Sequence, residues 1–515
     1  AMDVLATRDA RQVYKQLLDI VSSYAVSAEA ADRIRILTPL SDPAAMTDRL
    51  EDVRVARDSW SELTADEQAA VIDAFEAYDD SAGDRRAAVR AALALRETGL
   101  DSGVFAPVAE LEAPQLRDAV AALTGLRGDS NRVSEGADSR LDDRRAQLGR
   151  VEDLSATPET VVEAVQEDAR GTDQLREALV REIADRTGVD RTRVRDAMVT
   201  EAVDARAFVG ETLRGLAAKL REDVDARERE VAEEFEQTLA AATEDIEAAV
   251  AAVDEIALSV SLARFATRFD LVEPTFGESQ VAAVVNARNL FLEDSGQDVQ
   301  PITYAVGAHS LSVPGTTVPP QGDRVAVLTG ANSGGKTTLL ETLCQVQLLA
   351  QMGLPVPADS AEIQVVESIV FHRRHASFNA GVLESTLRSV VPPLSDPGRT
   401  LMLVDEFEAI TEPGRAADLL HGLVTLTVEK EALGVFVTHL ADDLEPLPEQ
   451  ARVDGIFAEG LTRELELQVD YQPRFETVGR STPEFIVSRL VADASDRSER
   501  AGYETLAEAV GEQAV

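Results

Sequence analysis

The sequence predicts a multidomain α and α/β protein: a helical core, a long coiled-coil lever arm, and then a P-loop α/β domain. Three observations carry this. An apolar run from Arg324 to Thr329 feeds into Gly330-Ala331-Asn332-Ser333-Gly334-Gly335-Lys336-Thr337-Thr338, the pattern G-x-x-x-x-G-K-T, and a helical pattern extends from there to Leu349. Two more apolar runs downstream end in Asp405-Glu406 and in Thr438-His439. Upstream, from Glu211 to Phe269, apolar residues recur in steps of three, four and seven with charges between them.

Taken in order, residues 3 to about 136 read as helices broken at Pro39, Pro43, Gly83, Gly99 and Gly103. Val13, Leu17, Leu18 and Val21 mark the apolar face of the first. A helix is predicted from Ser139 to about Leu154, and another after Thr157-Pro158 to about Asp185. The pattern Leu213, Leu216, Leu220, Val224, Val231, Phe235, Leu239, Ile246, Val250, Val253 then predicts one nearly continuous helix. At 1.5 Å per residue it would reach roughly 80–90 Å, too long for a compact domain. Strands are predicted at Val281–Val285, Arg324–Thr329, Ile369–Phe371, Leu401–Asp405 and Gly434–Thr438, with a closing helix at Glu484–Asp493. The domains read as 1–137, 138–270 with a tip near 181–205, 271–480, and a tail, 481–515.

The candidate site comes from the chemistry of these strand ends. Glycines let a loop turn its N–H groups toward phosphate, Lys336 brings a point charge, and a Thr337 hydroxyl can ligate Mg²⁺. Gly330, Asn332, Ser333, Gly334, Gly335, Lys336, Thr337 and Thr338 are therefore the candidate ATP-binding residues. Asp405 joins Thr337 as the candidate holder of Mg²⁺, and Glu406 is placed to polarise an attacking water. His439, at the end of its strand, is placed to sense the γ-phosphate. His309 and Tyr304 are both candidates to stack on adenine, and the sequence does not choose between them. His372 and His375 make an H-x-x-H pair, but no further ligand set accompanies them.

These residues resemble a known family. Gly330-Ala-Asn-Ser-Gly-Gly-Lys-Thr-Thr338 is similar to the MutS-type P-loop, and Leu348 to Ala358 resembles the next segment of that family. Ala257-Leu-Ser-Val-Ser-Leu-Ala-Arg-Phe-Ala266 resembles the helix leading into a MutS ATPase domain of ABC type. Tyr24-Ala-Val-Ser-Ala28 with Leu37 to Pro43 resembles the opening of the second MutS subfamily. The resemblance implies a homodimeric ATPase that clamps nucleic acid, here without the mismatch-reading and Smr nuclease domains. Two departures stand out. Glu408 falls where a phosphate-proximal glycine is expected, and the family's S-T-F segment aligns with Ala376-Ser377-Phe378. The serine that would reach the other subunit's γ-phosphate is thus either missing or shifted to Ser377.

Composition sets the remaining bounds. The net charge is −43, and the only lysines are Lys15, Lys219, Lys336 and Lys430. Acid excess with lysine depletion fits a halophilic archaeal protein whose surface answers to salt rather than to its partner. An acidic disordered chain is excluded by 44% hydrophobic residues in periodic runs. No apolar run reaches the roughly 20 residues of a membrane span, so the chain is expected in the cytoplasm. Against the acidic background, the window from Arg181 to Arg195 has five arginines and three acids. Its helix, Thr187-Gly188 turn and second helix resemble a helix-turn-helix, making Arg186, Arg191, Arg193 and Arg195 the candidate nucleic-acid contacts. Branched or recombining DNA is the expected partner. Ribosomal RNA on stalled or collided ribosomes is the alternative, since phosphate attracts arginine in both. A chromosome-organising coiled-coil ATPase is disfavoured by the N-terminal resemblance.

Overall fold

The computed structural model describes residues 4–510 except 82, 128–131, 169–171, 201, 278, 312–317, 331–334, 375–379, 396–398, 411–412, 462–466, 480–482 and 495. They form two compact units, one made of residues 1–75, 102–104 and 254–515, the other of residues 76–101 and 105–253.

The first unit is built on a six-stranded sheet. Ten strands occur among the described residues of this unit: β1 (Thr275–Phe276), β2 (Val281–Ala287), β3 (Ile302–Gly307), β4 (Val325–Gly330), β5 (Ser360–Ile363), β6 (Ser368–His372), β7 (Thr400–Asp405), β8 (Leu433–Val437), β9 (Ala451–Leu461) and β10 (Leu467–Arg474). The large sheet runs β10-β9-β4-β8-β7-β6, parallel throughout except for the antiparallel β9–β10 edge. A smaller sheet, β1-β5-β2-β3, is mostly antiparallel.

Every residue of β4, β7 and β8 is buried, as expected of a parallel sheet covered on both faces. Alternation decides which face each side chain takes. Ala326, Leu328, Leu401 and Leu403 join the core shared with helix Gly335–Gln351, whereas Val325, Val327, Met402 and Val404 join the core around helix Pro413–Glu429. Helix Arg8–Ser23 packs its predicted face, Val13, Leu17, Leu18 and Val21, into the first of these cores. Thr7 caps that helix and also pins it to β6: its Oγ1 donates to the Phe371 carbonyl at 2.6 Å and accepts from the Phe371 N–H at 3.1 Å.

The second unit is helical among its described residues. Helix Ala205–Ala241 buries Leu213, Leu216, Leu220, Val224 and Val231, all positions of the predicted periodic face. Val151, Val161, Leu179, Ile183 and Val194 join Leu213, Leu216 and Leu220 in one core, whereas Val224 and Val231 pack with Val133 and Leu141 in a second. The continuous helix expected from Glu211 to Phe269 is instead two helices, Ala205–Ala241 and Thr243–Arg268. Ala242 leaves helical geometry at the junction with ψ 9°. The Thr243 hydroxyl bonds back to the Leu239 and Ala240 carbonyls there, the kind of side-chain competition that interrupts a helix. No helix among the described residues is long and apolar enough to cross a membrane.

Candidate functional site

β4, β7 and β8 are neighbours and parallel, so their carboxyl ends open at one edge of the sheet, where such sheets form crevices. The residues predicted from the three strand ends meet there. Gly330 ends β4 at φ +123°, and a Cβ on it would lie 2.0 Å from the Ile456 carbonyl oxygen, so only glycine fits. Asn332, Ser333, Gly334 and Ser377 lie outside the described residues. Gly335 opens the next helix under the ring of Tyr471, where a Cβ would meet Cδ1 at 2.3 Å.

Lys336 is 4% exposed, and its Nζ donates to the Gly330 carbonyl at 2.8 Å. Burial lowers its pKa, opposed by the nearby charges of Glu406, Asp405 and Glu408. The Thr337 hydroxyl donates to Asp405 Oδ2 at 2.7 Å. Asp405 Oδ1 is buried with no hydrogen-bond partner. Burial holds the Asp405 pKa above the usual carboxylate range, against the Thr337 bond that lowers it. A buried ammonium beside a helix N-terminus, with a hydroxyl and a half-satisfied carboxylate, can hold phosphate oxygens and a small hard cation.

Glu406 occupies the left-handed region at φ +43°, uncommon for a glutamate and a mark of functional positions. Its N–H is anchored to the Val437 carbonyl at 3.0 Å. Its carboxylate is held at both oxygens: Oε1 meets His439 Nε2 at 2.9 Å and Oε2 meets Arg374 Nη1 at 2.6 Å. The His439 bond is the chief reason its pKa is lowered. Glu408, the departure from the glycine pattern, lies one residue beyond Phe407. Its Oε1 accepts from the Thr438 hydroxyl and the His439 N–H, both at 2.8 Å. This carboxylate therefore caps the end of β8.

A cavity of about 270 Å³ adjoins Gly335 and Thr338, lined also by Asn289, Gln300, Thr342 and Tyr471. Neither candidate for stacking on adenine reaches it. Tyr304 is fully buried and donates to Asp454 Oδ2 at 2.8 Å, and His309 Nε2 lies 3.1 Å from the Pro319 carbonyl. Both are consumed by the core under β3 and its following loop. Nothing in the sequence singles out Arg374, Tyr471 and Asn289. Only the fold brings them here, and no local pattern marks them.

In the second unit, helix Thr172–Thr187, Gly188 at φ +69° and helix Arg191–Asp196 form the arginine-rich turn. Its second helix has six residues, about 9 Å. Each candidate arginine faces an acid: Arg186–Glu182 at 2.6 Å, Arg191–Asp185 at 3.6 Å, Arg193–Asp223 at 2.7 Å and Arg195–Glu177 at 3.0 Å.

Comparison with known proteins places the same region. Residues 326–451 match the sequence family MutS domain V. The chain is 45% identical over 222 residues to the DNA-binding protein MutS2 of Pyrococcus furiosus, covering 43% of this chain and 38% of that one. It is 27% identical over 463 residues to the DNA mismatch repair protein MutS of Rhizobium meliloti, covering 79% and 48%. To the Endonuclease MutS2 of Thermomicrobium roseum it is 29% identical over 213 residues, covering 39% and 26%. The chain thus spans less than half the length of these relatives. Residues 326–451 thus match MutS domain V, and the chain has its homologues among the MutS and MutS2 proteins.

Proposed function

We propose that this protein is a MutS-like ATPase that uses ATP and Mg²⁺ to close a homodimeric clamp on DNA, with branched or recombining duplexes as its substrate class. The observation that carries the reading is the Thr337–Asp405 pair: a hydroxyl bonded to one oxygen of a buried carboxylate whose other oxygen has no partner. Among the described residues no cluster of three or more His, Cys, Asp or Glu could hold a metal alone. The pair fits an ion that takes its other ligands from phosphate and water, as Mg²⁺ does. Bound there, Mg²⁺ would neutralise charge on the phosphate oxygens.

In this reading Lys336 exchanges the Gly330 carbonyl for a phosphate oxygen. The first turn of helix Gly335–Gln351 turns its N–H groups to the same anion. The base enters the cavity beside Tyr471. Glu406 accepts a proton from the attacking water, with His439 orienting its carboxylate. DNA as partner is supported by the homologues, which are a DNA-binding and a DNA mismatch repair protein. Lys336→Ala is expected to abolish tight ATP binding, measured by titration calorimetry. Glu406→Gln is expected to bind ATP but hydrolyse it on the order of 10²-fold more slowly. Unchanged ATP affinity in the first variant would refute the site.

A further inference from the structure

Arg374 stands outside this assignment, yet it takes the atom that the proposed chemistry needs. Its Nη1 lies 2.6 Å from Glu406 Oε2, while His439 Nε2 lies 2.9 Å from Oε1. With a cation on each oxygen, the carboxylate is poorly placed to draw a proton from water. The two partners differ in their surroundings. His439 belongs to the end of β8, and its backbone N–H is fixed by Glu408. The Arg374 side chain is 57% exposed, so water can take over its donors when it leaves, and Glu406 keeps its bond to His439.

The neighbouring residue shows how such a departure stays local. The Arg373 N–H donates to Asp9 Oδ2 at 2.8 Å, and its guanidinium is paired with Glu341 of helix Gly335–Gln351. The backbone leaving β6 is therefore tied down, and only the Arg374 side chain needs to swing. A destination for it is close. Glu406, on which the guanidinium rests, directly follows Asp405, whose carboxylate accepts from the Thr337 hydroxyl in the first turn of helix Gly335–Gln351, so the guanidinium sits at the phosphate end of the crevice. A terminal phosphate carries more charge than a carboxylate and offers guanidinium a bidentate acceptor.

We propose that Arg374 is a positioning residue that gates Glu406: it covers Oε2 when the site holds no γ-phosphate and transfers to the γ-phosphate when ATP binds. Building the ATP complex then uncovers the base, whereas ADP leaves it covered. The gate rests on the ATPase reading given above.

The test is a double-mutant cycle on binding, using adenylyl imidodiphosphate and ADP with Mg²⁺ at one fixed salt concentration. Arg374→Gln is expected to weaken adenylyl imidodiphosphate roughly ten-fold and to leave ADP unchanged. Glu406→Gln frees the guanidinium beforehand and is expected to tighten adenylyl imidodiphosphate by at least the roughly two- to five-fold that an exposed pair would give. That gain should vanish in the Arg374→Gln background, and Arg374→Lys should restore part of it. Steady-state turnover of Arg374→Gln should show the loss in KM rather than in kcat. If the gain from Glu406→Gln persists without Arg374, it reflects simple relief of repulsion and the gate is wrong. Equal weakening of both nucleotides also overturns it. Binding that is absent from the parent protein, or insensitive to Lys336→Ala, defeats the ATPase reading itself. Binding that is lost in Lys336→Ala alongside an additive cycle defeats only the gate.

Discussion

Gly479→Ala tests how the chain beyond β10 seats the start of the candidate site. Gly479 packs against the end of β4, and its N–H donates to the Thr329 hydroxyl at 2.6 Å. A Cβ there would lie 2.8 Å from Gly330 Cα, 2.9 Å from the Thr329 carbonyl oxygen and 3.0 Å from the Gly330 nitrogen. All three are backbone atoms of a central strand, so none can rotate away. Relief requires a shift of about half an ångström, and overpacking of this kind costs about 1–3 kcal/mol. Gly422 supplies the contrast. It lies in helix Pro413–Glu429 with nothing within 4 Å of its missing Cβ. Gly422→Ala is therefore expected to stabilise by about 0.5–1 kcal/mol through helix propensity. The assay is urea denaturation followed by fluorescence of Trp60, the single tryptophan, which is buried in this unit. The two variants should move the midpoint in opposite directions, and Gly479→Ala should also weaken ATP binding. Equal midpoints for Gly479→Ala and the parent would refute the packing argument.

Three further outcomes are expected. Thr7→Val removes a hydroxyl that serves both the N–H and the carbonyl of Phe371. It should cost about 2–4 kcal/mol in the same denaturation assay, because both Phe371 groups lose their partner and the helix loses its cap at the Ala10 N–H; a cost below about 0.5 kcal/mol would mean that other groups satisfy them. Glu406 has a lowered pKa in the folded chain, so the unfolded chain takes up its proton first as acid is added. Its stabilising contribution is then present above the ordinary glutamate value and is lost as pH falls through the folded one. Thermal melts of parent and Glu406→Gln should differ at neutral pH and converge in acid, and a constant difference would contradict the ion-pair geometry. The triple variant Arg191→Ala, Arg193→Ala, Arg195→Ala should still hydrolyse ATP yet lose ATP-dependent retention on circular DNA. Because salt weakens phosphate contacts steeply, the parent should stay longer on circular than on short open duplexes; equal retention would count against a clamp.

Legibility in the sequence tracks burial. β4, β7 and β8 are uninterrupted apolar runs, and each was legible within a residue or so at its ends. β9 was not, since Arg452 and Asp454 break its pattern. They are 5% and 0% exposed and pair with each other at 3.0 Å, so here charge marks the interior. β5 has only four residues, too few for a periodicity to declare itself. At the site, the Thr337–Asp405 contact joins residues that motif chemistry had already paired. The Arg374–Glu406 contact spans two strands with no shared motif, and Tyr471 reaches Gly335 from an antiparallel edge strand. Contacts of that kind depend on strand order, which no local spacing encodes.

The seam between Thr7 and Phe371 also bears on how the chain is made. Its two sides are 364 residues apart, and at about 5–20 residues per second the ribosome needs roughly 20–70 s to deliver the second after the first. Throughout that interval the apolar face of Arg8–Ser23 has no sheet to cover it. The intervening helical unit, residues 76–101 and 105–253, can finish meanwhile, because its contacts are nearer in sequence. Helix Arg8–Ser23 thus leaves the ribosome well before the strand that it is pinned to. Release from chaperones should accordingly depend on completing a sheet whose outer strand, β10, ends only at Arg474.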